Sequence, residues 1–263
     1  MSVIRFWKYE GTGNDFIMLD NRQQTLHLSR EQIEKMCHRR FGIGADGLIL
    51  IENDSQSDFR MVYFNSDGRE STFCGNGGRC AAAFARFLGL AGEEVRFSAR
   101  DGMHTARFQA SGEVRLQMRD VSDIQQHPAG WVLFTGSPHL VVETDAAESL
   151  DVKQEGSRIR YSEPYKAEGI NVNFVKKGAE EILVRTYERG VEDETLSCGT
   201  GVTAAALLAS RRGYASPVSV RTPGGRLSVE FSEKTPGNFS DVWLIGPAVQ
   251  VFAGEYVLPQ PQA

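Results

Sequence analysis

The residues of this chain best suited to chemistry are two cysteines set among glycines. Cys74-Gly75-Asn76-Gly77-Gly78-Arg79-Cys80-Ala81-Ala82-Ala83-Phe84-Ala85 and Cys198-Gly199-Thr200-Gly201-Val202-Thr203-Ala204-Ala205-Ala206-Leu207-Leu208-Ala209 share a Cys-Gly-x-Gly signature that opens an alanine-rich stretch. The first four backbone N–H groups of a helix lack intrahelical partners and carry partial positive charge. Glycines let an anion approach that backbone closely, and a cysteine at the same place has its thiolate form favoured. Each segment therefore supplies an acid–base thiol beside a carboxylate cradle. Two such thiols on opposite faces of one α-carbon would let one abstract a proton while the other donates from the far side. The helix N–H groups would stabilise the charge that spreads onto the carboxylate. That chemistry is racemisation or epimerisation without a cofactor.

The other two cysteines read differently. Cys80 aligns with Ala204, and Cys37 lies in a helical pattern with no glycine turn, so both read as small packing residues. Five residues separate Cys74 from Cys80, which is not a C-x2-4-C zinc spacing. Four cysteines in 263 residues point to reduced thiols rather than a disulfide scaffold.

The elements that carry the two segments also repeat. A Glu stands four residues before each cysteine, Glu70 and Glu194, and each alanine-rich run ends at a glycine, Gly89 or Gly213. Downstream, Val95–Ser98 and Thr105–Phe108 lie over Val218–Arg221 and Ser228–Phe231, each an alternating pair joined by a Gly-containing turn, which is a hairpin pattern. Upstream, Gly13–Asp20 resembles Gly136–Glu143, a polar turn entering an apolar strand. The chain reads as a duplication, with the boundary near 120–130, where Ser, Gln, His, Pro and Gly cluster.

Strands are predicted at 3–8, 15–20, 47–52, 59–64, 94–99, 104–109, 113–119, 139–143, 170–175, 182–187, 218–222, 226–231 and 241–246, and helices at 29–39, 76–88 and 200–211. The expected fold class is α+β, with two pseudo-symmetric domains. Each is a curved, mostly antiparallel sheet wrapped around one central helix. The expected halves are 1–120, completed by a C-terminal strand from about 250–263, and 121–249, with the active site in the cleft between them. Gly42-Ile43-Gly44-Ala45-Asp46-Gly47 matches G-x-G-x-x-G, but an apolar strand follows it where a dinucleotide fold needs a helix.

Composition excludes several classes. A net charge of −5 offers no long-range pull toward nucleic acid or an anionic membrane. No apolar run reaches the length of a transmembrane helix, and the N-terminus lacks the apolar core of a signal peptide, so a cytoplasmic location is expected.

The motifs Lys8–Phe16, Phe64–Gly68, Cys74–Cys80 and Glu188-Arg189-Gly190-Val191 with Glu194–Gly201 resemble the diaminopimelate epimerase family, in the same order and over essentially the whole chain. The resemblance implies interconversion of LL- and meso-diaminopimelate, on the route to lysine and peptidoglycan precursors, without pyridoxal phosphate or metal. It implies that Cys74 and Cys198 are the acid–base thiols and that backbone N–H groups of Gly75, Asn76, Gly199 and Thr200 hold the α-carboxylate. It further implies substrate contacts from Asn14, Asn65, Asn171, Glu188 and Arg189, tuning of the cysteines by His139 and Glu188, and a homodimer. The chemistry of these types is apt, since Arg189 could fork a distal carboxylate and Glu188 could accept from an ammonium.

The chain departs from the family at two positions. Gly47 stands where many relatives carry Gln, and Ser137 stands where many carry Asn, leaving Ser137 as a shorter donor and Gly47 with nothing to offer. Phe252 stands near a position where relatives carry a dimer-packing Tyr. The alternatives are a proline or hydroxyproline racemase of the same fold, which would leave Glu188 and Arg189 unexplained, and a phenazine-type isomerase, which would not need paired cysteines. From other classes, a non-catalytic carboxylate-binding protein and a redox dithiol protein use the same two thiols or helix ends.

Overall fold

The computed structural model describes residues 3–258, which form two compact units, one of 3–116 with 247–258 and the other of 117–246. The first unit contains strands β1 (Val3–Gly11), β2 (Asn14–Asp20), β3 (Gly47–Glu52), β4 (Phe59–Asn65), β5 (Glu94–Ala99), β6 (Gly102–Phe108) and β7 (Val114–Gln117), with helices α1 (Arg30–Cys37) and α2 (Gly75–Phe87). The second contains β8 (Ile124–His127), β9 (Gly130–Phe134), β10 (Pro138–Glu143), β11 (Asn171–Lys177), β12 (Glu181–Glu188), β13 (Asp193–Thr195), β14 (Val218–Thr222), β15 (Gly225–Thr235) and β16 (Asn238–Gly246), with α3 (Val152–Arg160) and α4 (Gly199–Ser210). A last strand, β17 (Val249–Val257), returns to the first unit and pairs antiparallel with β1. Residues 259–263 of the expected closing strand lie outside the described residues.

Strand pairing repeats step for step. Along the first sheet the pairs β17/β1 and β1/β2 are antiparallel, β2/β3 parallel, β3/β4 antiparallel, β4/β5 parallel, and β5/β6 and β6/β7 antiparallel. Along the second, β8/β9, β9/β10, β10/β11, β11/β12, β12/β14, β14/β15 and β15/β16 follow the same order of senses. Parallel neighbours need a crossover connection, usually a helix. Each sheet has two such pairs, and the four crossovers carry α1, α2, α3 and α4.

Two helices per sheet explain the nearly unbroken apolar runs of the central strands. In the first unit Ile17, Leu19, Leu48, Leu50 and Val62 pack with Ile33, Met36 and Cys37 of α1. The alternate residues Phe16, Ile49 and Met61 lie against Gly77 of α2. In the second, Leu140, Val172, Phe174, Leu183 and Tyr187 pack with Val152 and Ile159 of α3, while α4 meets the strands from within. A helix apolar all round belongs in a core, and α4 is buried from Gly201 through Ala209. Small side chains keep α2 and α4 thin, which lets the curved sheet close around them.

Three features go beyond the sequence expectation. The sequence pattern does not announce helix α3, because Val152, Gly156 and Ile159 make a sparse apolar face in a polar segment. Asp151 nevertheless caps it through Gln154 N, and a Cβ on Gly156 would come 2.3 Å from Tyr187. The polar 120–130 stretch, read as a boundary, forms the β8–β9 hairpin of the second unit. Strand β13 is a short antiparallel addition to β12 that delivers the chain to Cys198.

Candidate active-site half-sites

Cys74 and Cys198 are the N-cap residues of α2 and α4. Their backbone angles nearly coincide, φ −123° and ψ 124° for Cys74 against φ −117° and ψ 110° for Cys198. Each cysteine carbonyl accepts the first helical bond, from Gly78 N at 2.7 Å and from Val202 N at 2.8 Å. Neither side chain caps its own helix. Gly75 and Gly199 occupy the first helical position, and Asn76 and Thr200 the second. Each unit thus presents a sulfur beside an N-terminus whose donors suit a carboxylate.

In the first unit, the Cys74 sulfhydryl donates to Asn14 Oδ1 at 3.5 Å, and Asn76 Nδ2 donates to the same oxygen at 3.4 Å. Asn14 Nδ2 donates to Asp46 at 2.7 Å, which orients its amide. Asp46 belongs to a charged cluster in which Arg39 bridges Asp15 and Asp46, and Lys8 pairs with Asp15 at 2.8 Å. Guanidinium and ammonium partners overcome burial and hold the Asp15 carboxyl down, at about 2. Three separated motifs, those of Asn14, Asp46 and Cys74–Asn76, therefore meet at one helix end.

Arg79 holds this arrangement from behind and is a residue that reading the motif did not single out for a role. It is fully buried, and its Nη2 donates to Thr12 Oγ1 at 3.2 Å and Asn76 Oδ1 at 3.1 Å. Its Nε reaches Pro247 O at 3.3 Å. Thr12 sits at φ 53°, an uncommon conformation for a β-branched residue, in the β1–β2 turn that leads into Asn14. Arg79 thereby ties that turn to the start of α2. The signal lay in the sequence, as a lone cation in a stretch of Gly, Cys and Ala.

In the second unit, Thr200 Oγ1 lies 3.5 Å from Cys198 Sγ and 2.9 Å from His139 Nε2. His139 Nδ1 lies 3.0 Å from Asn173 Nδ2. Asn173 Nδ2 also donates to Leu140 O at 3.2 Å, and Asn173 Oδ1 accepts from Thr186 at 3.0 Å. Thr135 donates to Thr200 O at 2.8 Å. Sequence pattern alone does not mark Asn173, Thr186 or Thr135, although Asn173 shares a strand face with Asn171 two residues away.

The remaining candidates fall into place around these centres. Asn171 is buried and donates to Ser137 Oγ at 2.8 Å and Pro138 O at 3.0 Å, while its Oδ1 accepts from Arg189 N at 2.8 Å. It braces three segments, and Ser137 acts as its acceptor. Glu188 ends β12 opposite Asp193 and is half-buried, and exposed Arg189 donates to Glu168 O at 3.0 Å. Asn65 is exposed, pairs across from Gly47, and opens the tight turn to Gly68. The absence of a side chain at Gly47 has a steric counterpart, since a Cβ there would come 2.6 Å from Phe64 O and 2.7 Å from the Tyr63 ring. Glu194 is committed elsewhere, in a bidentate pair with Arg185 at 2.7 and 2.6 Å. Among the described residues, no group of three or more His, Cys, Asp or Glu side chains converges as a metal site, and no helix is long and apolar enough to cross a membrane.

The four thiols differ in exposure: Cys74 is half-exposed, Cys198 is buried but keeps 8% of its surface, and Cys37 and Cys80 keep 2% and 0%. Burial pushes Cys37 up to about 12 and raises Cys80 as well, so both stay protonated and shielded. Iodoacetamide applied to the native, reduced protein is expected to modify Cys74 and Cys198 and to spare Cys37 and Cys80. Peptide mapping that found Cys80 alkylated as fast as Cys74 would contradict this division.

Burial also sets the charge of His139. Desolvation, with Arg189 acting in the same direction, lowers its imidazole from 6.5 to about 3. A base whose folded pKa is depressed is protonated first in the unfolded chain. Its contribution to stability is complete above about pH 6.5 and is lost as pH falls toward about 3, at up to about 1.4 kcal/mol per pH unit. Urea titrations at about pH 7 and about pH 5 are expected to show wild type losing about 2 kcal/mol more than His139→Gln. Equal losses would mean that the ring is not held neutral.

Solved structures share this architecture. A phenazine biosynthesis protein of the PhzF family from Bacillus anthracis matches with a TM-score of 0.70 at 14% identity, covering 98% of this chain and 100% of its own. A hydroxyproline epimerase from Agrobacterium vitis matches with a TM-score of 0.66 at 13% identity, covering 98% and 94%. These likenesses define the class, a two-unit α+β protein in which each curved sheet encloses one helix. Sequence narrows it. The family model for diaminopimelate epimerase matches residues 6–123 and 132–250. A diaminopimelate epimerase of Flavobacterium psychrophilum is 48% identical over 253 residues, covering 95% of this chain and 98% of its own length. One of Chlorobaculum tepidum is 44% identical over 259 residues, covering 94% and 99%. The chain belongs to the diaminopimelate epimerase family.

Proposed function

We propose that this protein interconverts LL- and meso-diaminopimelate by moving the proton on one α-carbon between two cysteines, Cys74 and Cys198. The observation that carries the reading is the recurrence of one device, a cysteine capping a glycine-rich helix start, in a chain of this family. In the step we propose, one thiolate takes the α-proton while the opposing thiol gives its own to the other face of the same carbon. The carbon changes configuration, and the two sulfurs exchange protonation states. Backbone N–H groups of Gly75, Asn76, Gly199 and Thr200 hold the α-carboxylate and stabilise charge that develops on it. No cofactor enters this scheme.

The distal end of diaminopimelate is a second amino acid group, and Arg189, Glu188 and Asn65 are suited to it. Arg189 offers a fork of donors to the distal carboxylate, and Glu188 an acceptor for the ammonium. A proline or hydroxyproline racemase would have no use for that pair. The named relatives favour diaminopimelate, whereas the likeness to the hydroxyproline epimerase extends to the fold alone. We further propose that the enzyme acts in the cytoplasm as a homodimer, with the exposed Val249, Val251 and Phe252 of β17 as candidates for the contact.

The reading is tested by incubating the reduced protein in deuterated water with a panel of amino acids. Deuterium is expected in the α-position of diaminopimelate and not of proline or hydroxyproline. Exchange into proline with none into diaminopimelate would move the assignment to the racemase. No exchange into any member would leave a carboxylate-binding protein.

A further inference from the structure

We propose that Asn173, anchored by Thr186 and Leu140, locks His139 in one neutral tautomer and so directs a chain of hydrogen bonds, through the Thr200 hydroxyl, onto the Cys198 sulfur. The argument rests on which atoms can only donate and which can only accept. The carbonyl of Leu140 can only accept, and it lies 3.2 Å from one end of the Asn173 amide, which must therefore be Nδ2. The other end, Oδ1, then receives the Thr186 hydroxyl at 3.0 Å. The same Nδ2 faces His139 Nδ1 at 3.0 Å, and a group that donates to Nδ1 requires that nitrogen to be bare. A neutral imidazole carries its one proton on the other nitrogen. Nε2 is then the donor in the 2.9 Å contact with Thr200 Oγ1.

With its oxygen receiving the Nε2 proton, the Thr200 hydroxyl aims its own hydrogen at the next partner, Cys198 Sγ, 3.5 Å away. A donor pointed at sulfur favours the thiolate. The chain thus lowers the cost of holding Cys198 as a base, in addition to the helix N-terminus behind it. Asn173 and Thr186 are positioning residues that act through His139 and Thr200. The site is built tightly around them, since a Cβ on Gly201 would fall 2.2 Å from Asn173 Oδ1 and 3.3 Å from His139 Cε1. His139 and Asn173 are both fully buried, and the positive charge of Arg189 opposes a second proton on the ring.

The inference rests on the reading of Cys198 as an acid–base thiol, but its measurements use ligand-free protein and require no turnover. Nitrogen-15 NMR of histidine-labelled protein, with the His139 signals identified by their loss in His139→Gln, is expected to show Nε2 protonated and Nδ1 bare at neutral pH. An Nδ1-protonated ring would overturn the proposal with no variant needed. Alkylation rates at neutral pH, read peptide by peptide, supply the second arm. Thr200→Val is expected to slow Cys198 by about tenfold, the effect of one unit of thiol pKa, and Thr200→Ser to restore it, while Cys74 keeps its rate. Asn173→Leu is expected to mix the two His139 tautomers and to slow Cys198 as well. An unchanged Cys198 rate in Thr200→Val would sink the relay. Failure of every amino acid to exchange deuterium would discredit the substrate reading and leave this one standing.

Discussion

Replacing either Cys74 or Cys198 by alanine is expected to lower turnover of diaminopimelate by about a thousandfold or more while the protein unfolds at its normal denaturant concentration. The size follows from the chemistry, since a positioned acid or base contributes about two to four powers of ten, and two-base transfer needs both in every turnover. The intact fold follows from the environment. Neither sulfur caps its helix, Cys74 is half-exposed, and the helix starts are held by their own carbonyl bonds and by Arg79 and Thr135. Shortening Cys to Ala leaves that scaffold in place. Circular dichroism and urea unfolding check the fold, and a chiral assay of the isomers checks the rate. Either variant retaining a tenth of wild-type activity would rule out the two-base scheme. Cys80→Ala is the control, because its sulfur lies in the core and takes no part in the chemistry we propose.

The second large effect is expected from Gly201→Ala. One methyl group at that position would come 2.2 Å from Asn173 Oδ1, which is buried and tied to Thr186, so neither partner can move aside cheaply. Overpacking of this kind costs about 1–3 kcal/mol. The functional loss is expected to be larger in proportion. Any shift that relieves the clash displaces His139 or the first turn of α4, and misplacement by about 1 Å can cost about a hundredfold. Gly89→Ala is the comparison, because a Cβ there meets nothing within 4 Å and the cost reduces to that of its φ of 78°. A Gly201→Ala protein with near wild-type activity and stability would show that the packing under α4 is looser than the distances imply.

The duplication was legible because it is written in two independent periodicities, the Cys-Gly-x-Gly signature and the alternation of the following hairpin. Both have direct counterparts in α2 with β5 and β6, and in α4 with β14 and β15. Helix α3 escaped because a glycine occupies its apolar face, and that glycine is explained only by the Tyr187 side chain of a distant strand. The β8–β9 hairpin escaped because Gln, His, Pro and Gly signal a break in local terms, while its pairing to β10 is a long-range fact.

The candidate site divides the same way. The cysteines and the residues next to them announce themselves by local pattern. Arg79, Thr12 and Asp46 act through partners far along the chain, and nothing local distinguishes Asp46 from a surface acid. Asn173 is the instructive case. It sits two residues from Asn171 on one strand face, so its inward direction could be read, but its partners His139 and Thr186 could not. The hydrogen-bond direction that makes it interesting depends on the Leu140 carbonyl, which only the parallel pairing of β10 with β11 places there.

The measurement that tests the central claim most directly is the early isotope distribution in deuterated water. LL-diaminopimelate is incubated with the reduced enzyme to low conversion, and the two isomers are separated and weighed by mass spectrometry. If Cys74 and Cys198 work as separate bases, the meso product carries one deuterium at the inverted carbon, donated by a thiol equilibrated with solvent, while recovered substrate carries almost none. Equal deuterium in product and recovered substrate would mean that one group serves both faces, and the two-cysteine account would be wrong.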